Sequence, residues 1–213
     1  MARILVTSGP TRQYLDPVRY LTNASSGRMG AAVAQAVLEA GHEAVVVTGP
    51  VDVAYPAGAQ VVSVVSTEDM LEACLAVFPT CDGLIAVAAP GDYRPIKIAE
   101  RKIRKTGKPL LLHLVETPDV VAMLGTIRSG QWMVGFALET EDERMRALQK
   151  LERKSCDLIV VNGPAAIHAA DTSVEVLDPT GQVVGAWRGS KTTVARELVG
   201  LIARRFNHGP CSR

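Results

Sequence analysis

The sequence lacks the cysteine and histidine patterns that hold zinc or exchange disulfides. Only four of its 213 residues are cysteines, at positions 74, 81, 156 and 211, and none belongs to a Cys-x-x-Cys pair. This spacing excludes a zinc ribbon and a dithiol redox site. The four histidines also lack the spacing of metal ligands. We therefore expect the cysteines to be small buried hydrophobic residues in a reducing cytosol.

Net charge is also nearly absent. The 23 Lys and Arg residues balance 22 Asp and Glu residues, which leaves +1, whereas a protein that binds nucleic acid by neutralising phosphates is usually more basic. No segment has the pattern of a signal peptide or the length of a membrane span. We expect a cytoplasmic protein whose partners include neither nucleic acid nor a membrane, and whose 47% hydrophobic residues form a packed core.

The motifs of several enzyme classes are missing as well. The chain has no Walker A loop, no Gly-x-Ser-x-Gly motif and no Gly-x-Gly-x-x-Gly directly after its first apolar run. These absences argue against a P-loop NTPase, a hydrolase with an activated serine and an ordinary dinucleotide-binding protein.

The chain does contain an alternation of apolar runs and amphipathic segments. The runs predict strands over residues 3–7, 44–47, 61–65, 84–89, 132–136 and 158–161, an edge or extension strand over 110–115, and a hairpin of 174–177 and 183–187. Helices are predicted over 29–40, 66–78 (a capping box at Ser66 and Asp69), 118–124 (Pro118 in the first turn), 141–154 and 191–206. We predict an α/β fold: a doubly wound, mostly parallel, Rossmann-like sheet with helices on both faces and a small β-hairpin extension. It would form one domain over 1–207, followed by a frayed tail over 208–213.

A long excursion follows the first predicted strand and ends in Ser25-Ser26-Gly27-Arg28-Met29-Gly30 at a helix start. Such connections are usually short, so its length suggests a function. Glycines let the backbone approach a phosphate and a helix N-terminus offers free N–H groups, although a plain capped helix start explains the motif equally. Asn23 could donate to a developing oxyanion or be an ordinary turn residue. Asp16 could form an ion pair with Arg12 or Arg19 that braces the loop.

Two groups lie beyond the strand predicted over 84–89. Ala88 and Ala89 are small enough to leave room for a ligand, and Asp92 could hold Mg²⁺ or a substrate hydroxyl, or serve only as a cap. The stretch 94–108 is rich in Arg and Lys and includes Lys102. It is either a solvated charged loop or a mobile lid that closes over a triphosphate.

The helix predicted over 141–154 carries Lys150 and Lys154 four residues apart on one face. Met145, Leu148 and Leu151 would occupy its buried side. An anion between the two lysines would offset their repulsion, and either a ligand or a nearby acidic residue could supply it.

The order of these residues resembles the phosphopantothenate–cysteine ligase family of coenzyme A biosynthesis. The resemblance rests on residues 6–12 (VTSGPTR), 16–30 (DPVRYLTNASSGRMG), 92–93 (DY), 102–105 (KIRK), 118–119 (PD), 134–137 (VGFA), 139–140 (ET), 154, 157–159 (DLI) and 162. The segment 16–30 is the most specific of these. The others carry weight as a series that spans nearly the whole chain.

The resemblance implies a ligase reaction. CTP in most bacterial relatives, or ATP in eukaryotic ones, activates the carboxylate of 4′-phosphopantothenate with the help of Mg²⁺. The amine of L-cysteine then attacks the acyl-nucleotidylate, and the products are phosphopantothenoylcysteine, CMP and pyrophosphate. Relatives are homodimers whose partner subunit completes the site, and the 174–187 hairpin and the 110–115 region are the expected contact.

The resemblance also implies roles for individual residues. Asn23 would bind the reacting carboxyl and acyl-phosphate oxygens, and Lys102 would be the lid cation at the α-phosphate. The triphosphate would lie on Gly9, Ser25, Gly27 and Gly30. Phosphopantothenate would contact Ala88, Ala89 and Asp92, the last also a candidate magnesium ligand. The nucleotide pocket would comprise Pro118, Asp119, Val120, Val121, Phe136, Lys150, Lys154 and Asn162.

Pro90 and Gly91 depart from the pattern, since the family resemblance predicts Ala-Ala-Val-Ala-Asp-Tyr where this chain has Ala-Ala-Pro-Gly-Asp-Tyr. The stretch 163–172 also lacks an expected Gly-Phe…Asn pattern. A flavin-dependent decarboxylase is often fused ahead of the ligase; we expect it to be a separate chain here. The alternatives are an NAD(P)-binding oxidoreductase of Rossmann type and a catalytically inactive nucleotide-binding homologue.

Overall fold

A computed structural model of the protein describes residues 1–138, 142–162 and 171–206. Its strands are β1 (Arg3–Ser8), β2 (Arg12–Tyr14), β3 (Tyr20–Thr22), β4 (Glu43–Thr48), β5 (Gln60–Ser63), β6 (Gly83–Ala86), β7 (Tyr93–Pro95), β8 (Leu114–Glu116), β9 (Trp132–Leu138), β10 (Leu158–Asn162), β11 (Asp171–Leu177) and β12 (Val183–Ser190). Its helices are α1 (Arg28–Glu39), α2 (Thr67–Val77), α3 (Val120–Thr126), α4 (Glu143–Arg153) and α5 (Lys191–Phe206).

Eight strands form the central sheet, in the order β12-β11-β10-β9-β6-β1-β4-β5. The strands from β10 to β5 in this order run parallel, and β11 and β12 add an antiparallel hairpin at one edge. The predicted doubly wound, mostly parallel α/β fold with its hairpin extension is confirmed.

The buried strands have helices on both faces, so their side chains alternate between two cores. On one face, α1 and α5 pack against side chains such as Val6 and Val134. On the other face, α2, α3 and α4 pack against side chains such as Leu5 and Met133. Strands covered on both sides are continuous apolar runs, and for this reason the sequence predicted them. The cysteines at 74, 81 and 156 are free and buried, as expected.

The prediction of an edge or extension strand over 110–115 is wrong. The strand there is shorter and does not belong to the main sheet. Leu114–Glu116 pairs instead with Tyr93–Pro95 in a separate two-stranded sheet. Leu110 and Leu111 lie ahead of it and are 56% and 83% exposed. We call residues 93–116 the arm, because this segment leaves the sheet after β6 and carries its apolar residues on the surface.

Three finer predictions are also wrong. The strand predicted to residue 89 ends at Ala86, and Ala89 forms only an isolated bridge with Pro10. Pro118 precedes α3 because Asp119 is the N-cap, its carboxylate accepting the N–H of Ala122. Met145 is 56% exposed, since α4 contacts the core through other residues, Ala147 and Leu151.

The excursion after β1 contains a small hairpin that the sequence did not reveal. Strands β2 and β3 pair antiparallel, with Arg12 opposite Thr22 and Tyr14 opposite Tyr20. The Arg12 guanidinium lies 4.5 Å from the centre of the Tyr20 ring. Strands of three residues are too short to show a hydrophobic period.

The tail predicted over 208–213 lies outside the described residues. Among the helices that the structure describes, none combines the length and apolar composition needed to cross a membrane.

The predicted capping box at the start of α2 is confirmed. The Ser66 hydroxyl accepts the N–H of Asp69 at 3.0 Å, and the Asp69 carboxylate accepts the N–H of Ser66 at 2.9 Å.

We expect Ser66→Ala to lower the free energy of unfolding by about 1 kcal/mol, because an N–H of the first turn loses its acceptor. Urea unfolding followed by circular dichroism measures the change, with Ser63→Ala at the exposed end of β5 as the control. Equal midpoints for wild type and Ser66→Ala would contradict this.

Candidate functional site

A pocket of about 730 Å³ opens at the carboxyl ends of the parallel strands, the edge where doubly wound folds bind ligands. The structure brings nearly all of the predicted site residues together in its lining: Gly9, Asn23, Ser25, Gly27, Gly30, Ala88, Ala89, Asp92, Pro118, Asp119, Val120, Val121, Phe136, Lys150, Lys154 and Asn162. Lys102 is the exception and does not line the pocket.

The turn over residues 25–30 leaves the start of α1 without a side-chain cap and brings its backbone close to β1. Gly27 is the residue before α1 and has φ 74°, and no side chain among the described residues caps this helix. A Cβ on Gly30 would lie 2.0 Å from the Ser8 hydroxyl oxygen, so only glycine fits there. The first turn of α1 also has no acidic residue. Residues 27–30 line the pocket, so the free N–H groups of this first turn are available to an anion.

Asn23 lies at the mouth of the pocket, between this turn and the loop after β6. Its amide nitrogen donates to the carbonyl oxygens of Ala89 at 3.2 Å and Pro90 at 2.8 Å. Asn23 is exposed and therefore not turned into the core, and it lines the same pocket as the glycine turn. A ligand oxygen that accepts from Asn23 would have to replace one of these two carbonyls.

The loop after β6 is fixed by three threonines to which the sequence analysis gave no role, and two of them, Thr11 and Thr67, are fully buried. The Thr11 hydroxyl accepts the N–H of Gly91 at 2.8 Å and shares a hydrogen bond of 2.8 Å with Thr67. The Thr67 and Thr117 hydroxyls both donate to the Gly91 carbonyl, at 3.1 and 2.6 Å. The Pro90 carbonyl accepts from Asn23, as the Ala89 carbonyl does. The departure at Pro90 and Gly91 is compatible with an ordered loop that presents Asp92.

The charges on the opposite wall form an ion pair between helices. Lys154 Nζ lies 3.0 Å from Asp119 Oδ1, and Arg153 lies 3.6 Å from Oδ2 of the same carboxylate. Burial alone would raise the pKa of Asp119, but Lys154, the Ala122 N–H and Arg153 together lower it. An anion beside Lys154 is therefore the carboxylate of Asp119, the N-cap of α3.

Lys102 lies on an exposed part of the arm that is anchored to the excursion after β1. The next residue, Ile103, donates its N–H to Asp16 at 3.1 Å, and its carbonyl accepts from the Arg19 guanidinium. Asp16 is fully buried, accepts the N–H groups of Val18 and Arg19, both at 2.9 Å, and pairs with Arg19 at 2.8 Å. Of the two ion pairs considered for Asp16, the one with Arg19 is present. Both backbone polar groups of Ile103, the residue after Lys102, are therefore hydrogen-bonded.

The lining residues to which the sequence analysis gave no role include three polar ones, Arg28, Thr172 and Lys191. Arg28 and Lys191 are the first residues of α1 and α5. Thr172 lies in the part of β11 that precedes the predicted strand. The only signal in the sequence was the Gly-Ser-Lys start of the last helix, which marks a helix N-terminus without indicating what it faces.

The chain matches the family model described as DNA/pantothenate metabolism flavoprotein C-terminal domain over residues 1–206. It is 42% identical over 212 residues to the coenzyme A biosynthesis bifunctional protein CoaBC of Vibrio vulnificus (strain CMCP6), which covers 96% of this chain and 53% of that protein. It is 39% identical over 175 residues to the CoaBC of Bacillus subtilis (strain 168), which covers 80% of this chain and 43% of that protein. The chain thus spans about half the length of the curated relatives it matches.

Solved structures give the same grouping. The crystal structure of the C-terminal domain of a CoaBC shares 32% identity with this chain, with a TM-score of 0.82 over 97% of this chain and 96% of that one. A Cab2 mutant in complex with phosphopantothenate-cysteine shares 17% identity, with a TM-score of 0.73 over 95% of this chain and 86% of that one. The second likeness is one of fold alone.

The buried Asp16 carboxylate predicts a pH-dependent stability. Burial alone would raise its pKa, but the N–H groups of Val18, Ile103 and Arg19 and the charge of Arg19 bring it from 3.8 down to about 2. Because the folded-state pKa is lowered, the carboxylate stabilises the fold above roughly pH 4, and this contribution disappears as the pH falls towards 2.

Asp16→Asn should therefore be less stable than wild type at neutral pH and lose less stability than wild type between pH 4 and 2. Denaturant unfolding at a series of pH values measures both effects, with Asp52→Asn, an exposed carboxylate, as the control. Parallel pH profiles for wild type and Asp16→Asn would sink this account.

Proposed function

Because the chain belongs to the family of DNA/pantothenate metabolism flavoprotein C-terminal domains, we propose that it is a phosphopantothenate–cysteine ligase. The proposed reaction joins 4′-phosphopantothenate to L-cysteine at the expense of a nucleoside triphosphate, with CTP preferred and ATP as the alternative. The observation that carries the proposal is the uncapped N-terminus of α1, which faces the same pocket as Asn23 and Asp92. An anion cradle and an amide are thereby available to one bound substrate.

The nucleotide would span the pocket from α1 to the opposite wall. Its triphosphate would lie on Gly9, Ser25, Gly27 and Gly30, where backbone N–H groups and the positive end of the helix dipole attract phosphate oxygens. Its nucleoside would lie against Phe136, Asn162, Lys150, Lys154 and the residues from Pro118 to Val121. The ion pair of Lys154 with Asp119 supports this wall, since it holds the start of α3 against the end of α4.

Phosphopantothenate would enter beside the loop after β6. Ala88 and Ala89 leave space because their side chains are small, and the threonines around Gly91 keep the loop rigid. The reacting carboxylate would then meet Asn23 at the mouth of the pocket.

Mg²⁺ would enter with the triphosphate. In the part of the chain that the structure describes, no three His, Cys, Asp or Glu side chains come together as a metal site. Magnesium in nucleotide sites is commonly held by one or two carboxylates together with phosphate oxygens and water. Asp92, which lines the pocket, suits the role of that carboxylate, and the ion would neutralise phosphate charge.

The reaction would proceed in two steps. A carboxylate oxygen of phosphopantothenate attacks the α-phosphorus, the bond to the bridging oxygen breaks, and pyrophosphate leaves with the electron pair. The cysteine amine then attacks the acyl carbon, CMP leaves, and the nitrogen loses a proton. Asn23 would donate to the acyl oxygens in the second step, and Lys102 would offset charge at the α-phosphate in the first.

A homodimer is part of the proposal. The arm exposes Tyr93, Ile96, Ile98 and Leu110 by 51–65%, and Leu111 by 83%. Several large apolar side chains exposed along one segment of a small domain favour contact with another protein surface. A second copy of this chain would cover the arm and bring its Lys102 towards a pocket that Lys102 of the same chain does not line. The β11–β12 hairpin is the other expected contact.

The test of the proposal is a mixture of protein, Mg²⁺, CTP, phosphopantothenate and cysteine. We expect CMP and pyrophosphate in equal amounts, detected by chromatography and a coupled phosphate assay, and the same mixture with ATP establishes the preferred nucleotide.

Asn23→Ala should slow the second step by about 10²–10³-fold and let the acyl-nucleotidylate accumulate. Lys102→Ala should abolish its formation, because the charge at the α-phosphorus is no longer offset.

Lys108→Ala, which removes a lysine from the same arm, is the matched control and should leave both steps unchanged. No CMP with either nucleotide would reject the ligase. Nucleotide binding without turnover would identify an inactive homologue, and tight binding of NADPH would favour the oxidoreductase. Exchanged phenotypes for the Asn23 and Lys102 variants would overturn the roles given to these residues.

The dimer is tested by changing its most exposed apolar residue. We expect wild type to elute as a dimer and Leu111→Asp as a monomer in size-exclusion chromatography with light scattering, because a charge would be buried in an apolar contact. Val61→Asp, at an exposed position of β5 on the far edge of the sheet, should remain dimeric. A wild-type monomer, or a Leu111→Asp dimer, would show that the arm is not the interface.

A further inference from the structure

The side of the pocket that faces α1 and α5 contains polar groups to which the proposed reaction assigns no role. Arg28, Thr172 and Lys191 all line the pocket there. They come from three separate elements, since Arg28 begins α1, Lys191 begins α5 and Thr172 belongs to β11.

The sheet topology explains why these residues meet. Thr172 pairs with Gly189 near the end of β12, and α5 begins directly after that strand. Helices α1 and α5 pack on the same face of the sheet. Their first residues therefore both lie at the carboxyl edge, beside the glycine turn.

Thr172 is a buried residue with an orphaned hydroxyl. It is 4% exposed, and its hydroxyl oxygen has no hydrogen-bond partner among the residues that the structure describes. The same holds for the buried amide oxygen of Asn162, a residue that lines the same pocket. Buried polar groups in native proteins nearly always have partners, so an orphaned hydroxyl in a pocket lining indicates a position where a ligand supplies the missing bond.

The two cations point to the charge of that ligand. Burial, and to a smaller extent the Arg28 guanidinium, lower the pKa of Lys191. Both positive groups lie beside a helix N-terminus, and cationic side chains together with the positive end of a helix dipole favour an anionic ligand there.

We propose that Arg28, Thr172 and Lys191 bind the β- and γ-phosphates of the nucleotide and hold the pyrophosphate that leaves in the first step. This inference rests on the proposed function. Most of the nucleoside wall, such as Val120 and Lys154, lies towards α3 and α4 on the opposite face of the sheet, while Phe136 packs on the α1 and α5 face. A nucleotide whose α-phosphate lies at the glycine turn would therefore direct its outer phosphates towards α5.

The site would act on the bond that breaks. When the α-phosphorus is attacked, the electron pair of the cleaved bond stays on pyrophosphate, whose negative charge increases. Arg28 and Lys191 would neutralise this charge, and the Thr172 hydroxyl would donate to a phosphate oxygen.

Calorimetric titration of the full chain with pyrophosphate, CTP and CMP, each with Mg²⁺, tests the proposal. Lys191→Ala should weaken binding of pyrophosphate and CTP by about 10-fold or more, since a charge-assisted contact is lost, and should change CMP binding by less than about twofold. Arg204→Ala removes one positive charge from the far end of the same helix and should change none of the three affinities.

Thr172→Val separates binding from folding. The valine keeps the shape of threonine and removes the orphaned hydroxyl, so we expect a melting temperature equal to or above that of wild type, and pyrophosphate affinity reduced by about 3–10-fold. A lower melting temperature with unchanged pyrophosphate affinity would assign the hydroxyl to folding instead.

The possible failures are distinguishable. Equal weakening of CMP and pyrophosphate in Lys191→Ala, or no weakening of pyrophosphate, would overturn the phosphate site while leaving the ligase intact. Wild-type protein that binds pyrophosphate in a Lys191-dependent way but forms no CMP would retain the site and reject the ligase. Wild-type protein that binds neither pyrophosphate nor nucleotide would reject both.

Discussion

The pocket depends on one junction, where the excursion after β1 is hydrogen-bonded to the loop after β6. The isolated bridge between Pro10 and Ala89 begins this junction, and Thr11 continues it by binding the N–H of Gly91. Asn23 closes it through the carbonyls of Ala89 and Pro90. These bonds join two chain segments that are distant in sequence, so that the glycine turn and the ligand-facing loop share one cavity. Without them the excursion would be an ordinary surface loop.

Polar groups around this junction fall into two classes with different consequences. Asp16 is buried and fully provided with donors, which makes the excursion and the base of the arm one rigid unit. The Thr172 hydroxyl and the Asn162 amide oxygen are buried and have no hydrogen-bond partner in the described part of the chain. Because the interior is of low polarity, the hydrogen bonds of Asp16 are strong, and the unpaired oxygens of Thr172 and Asn162 cost free energy until a ligand bonds to them. A rigid frame with unsatisfied groups in its pocket is the arrangement expected of a preorganised binding site.

The sheet and most of its helices could be predicted from the sequence because their signals are local. Buried parallel strands are continuous apolar runs, and the capping box at Ser66 is visible as a pair of residue types three positions apart. The arm was misjudged because apolar residues such as Leu111 look the same whether they face a core or the solvent. The β2–β3 hairpin was missed because its strands are too short to show a period, and Thr67 because a buried hydroxyl has no sequence signature.

Residue chemistry and order along the chain were sufficient to determine the fold class and the position of the glycine turn, since both follow from local preference and from the rule that parallel strands end at one edge. The family resemblance added most of the other predicted site residues, and all of them except Lys102 line the pocket. Tertiary structure alone decided which groups are satisfied. It pairs Asp119 with Lys154 and bonds Ile103, next to Lys102, to Asp16. It also places the Thr172 hydroxyl, which has no partner among the described residues, in the same pocket as Lys191. Such pairings depend on distances between elements that are remote in sequence, and these distances exist only once the layers have packed.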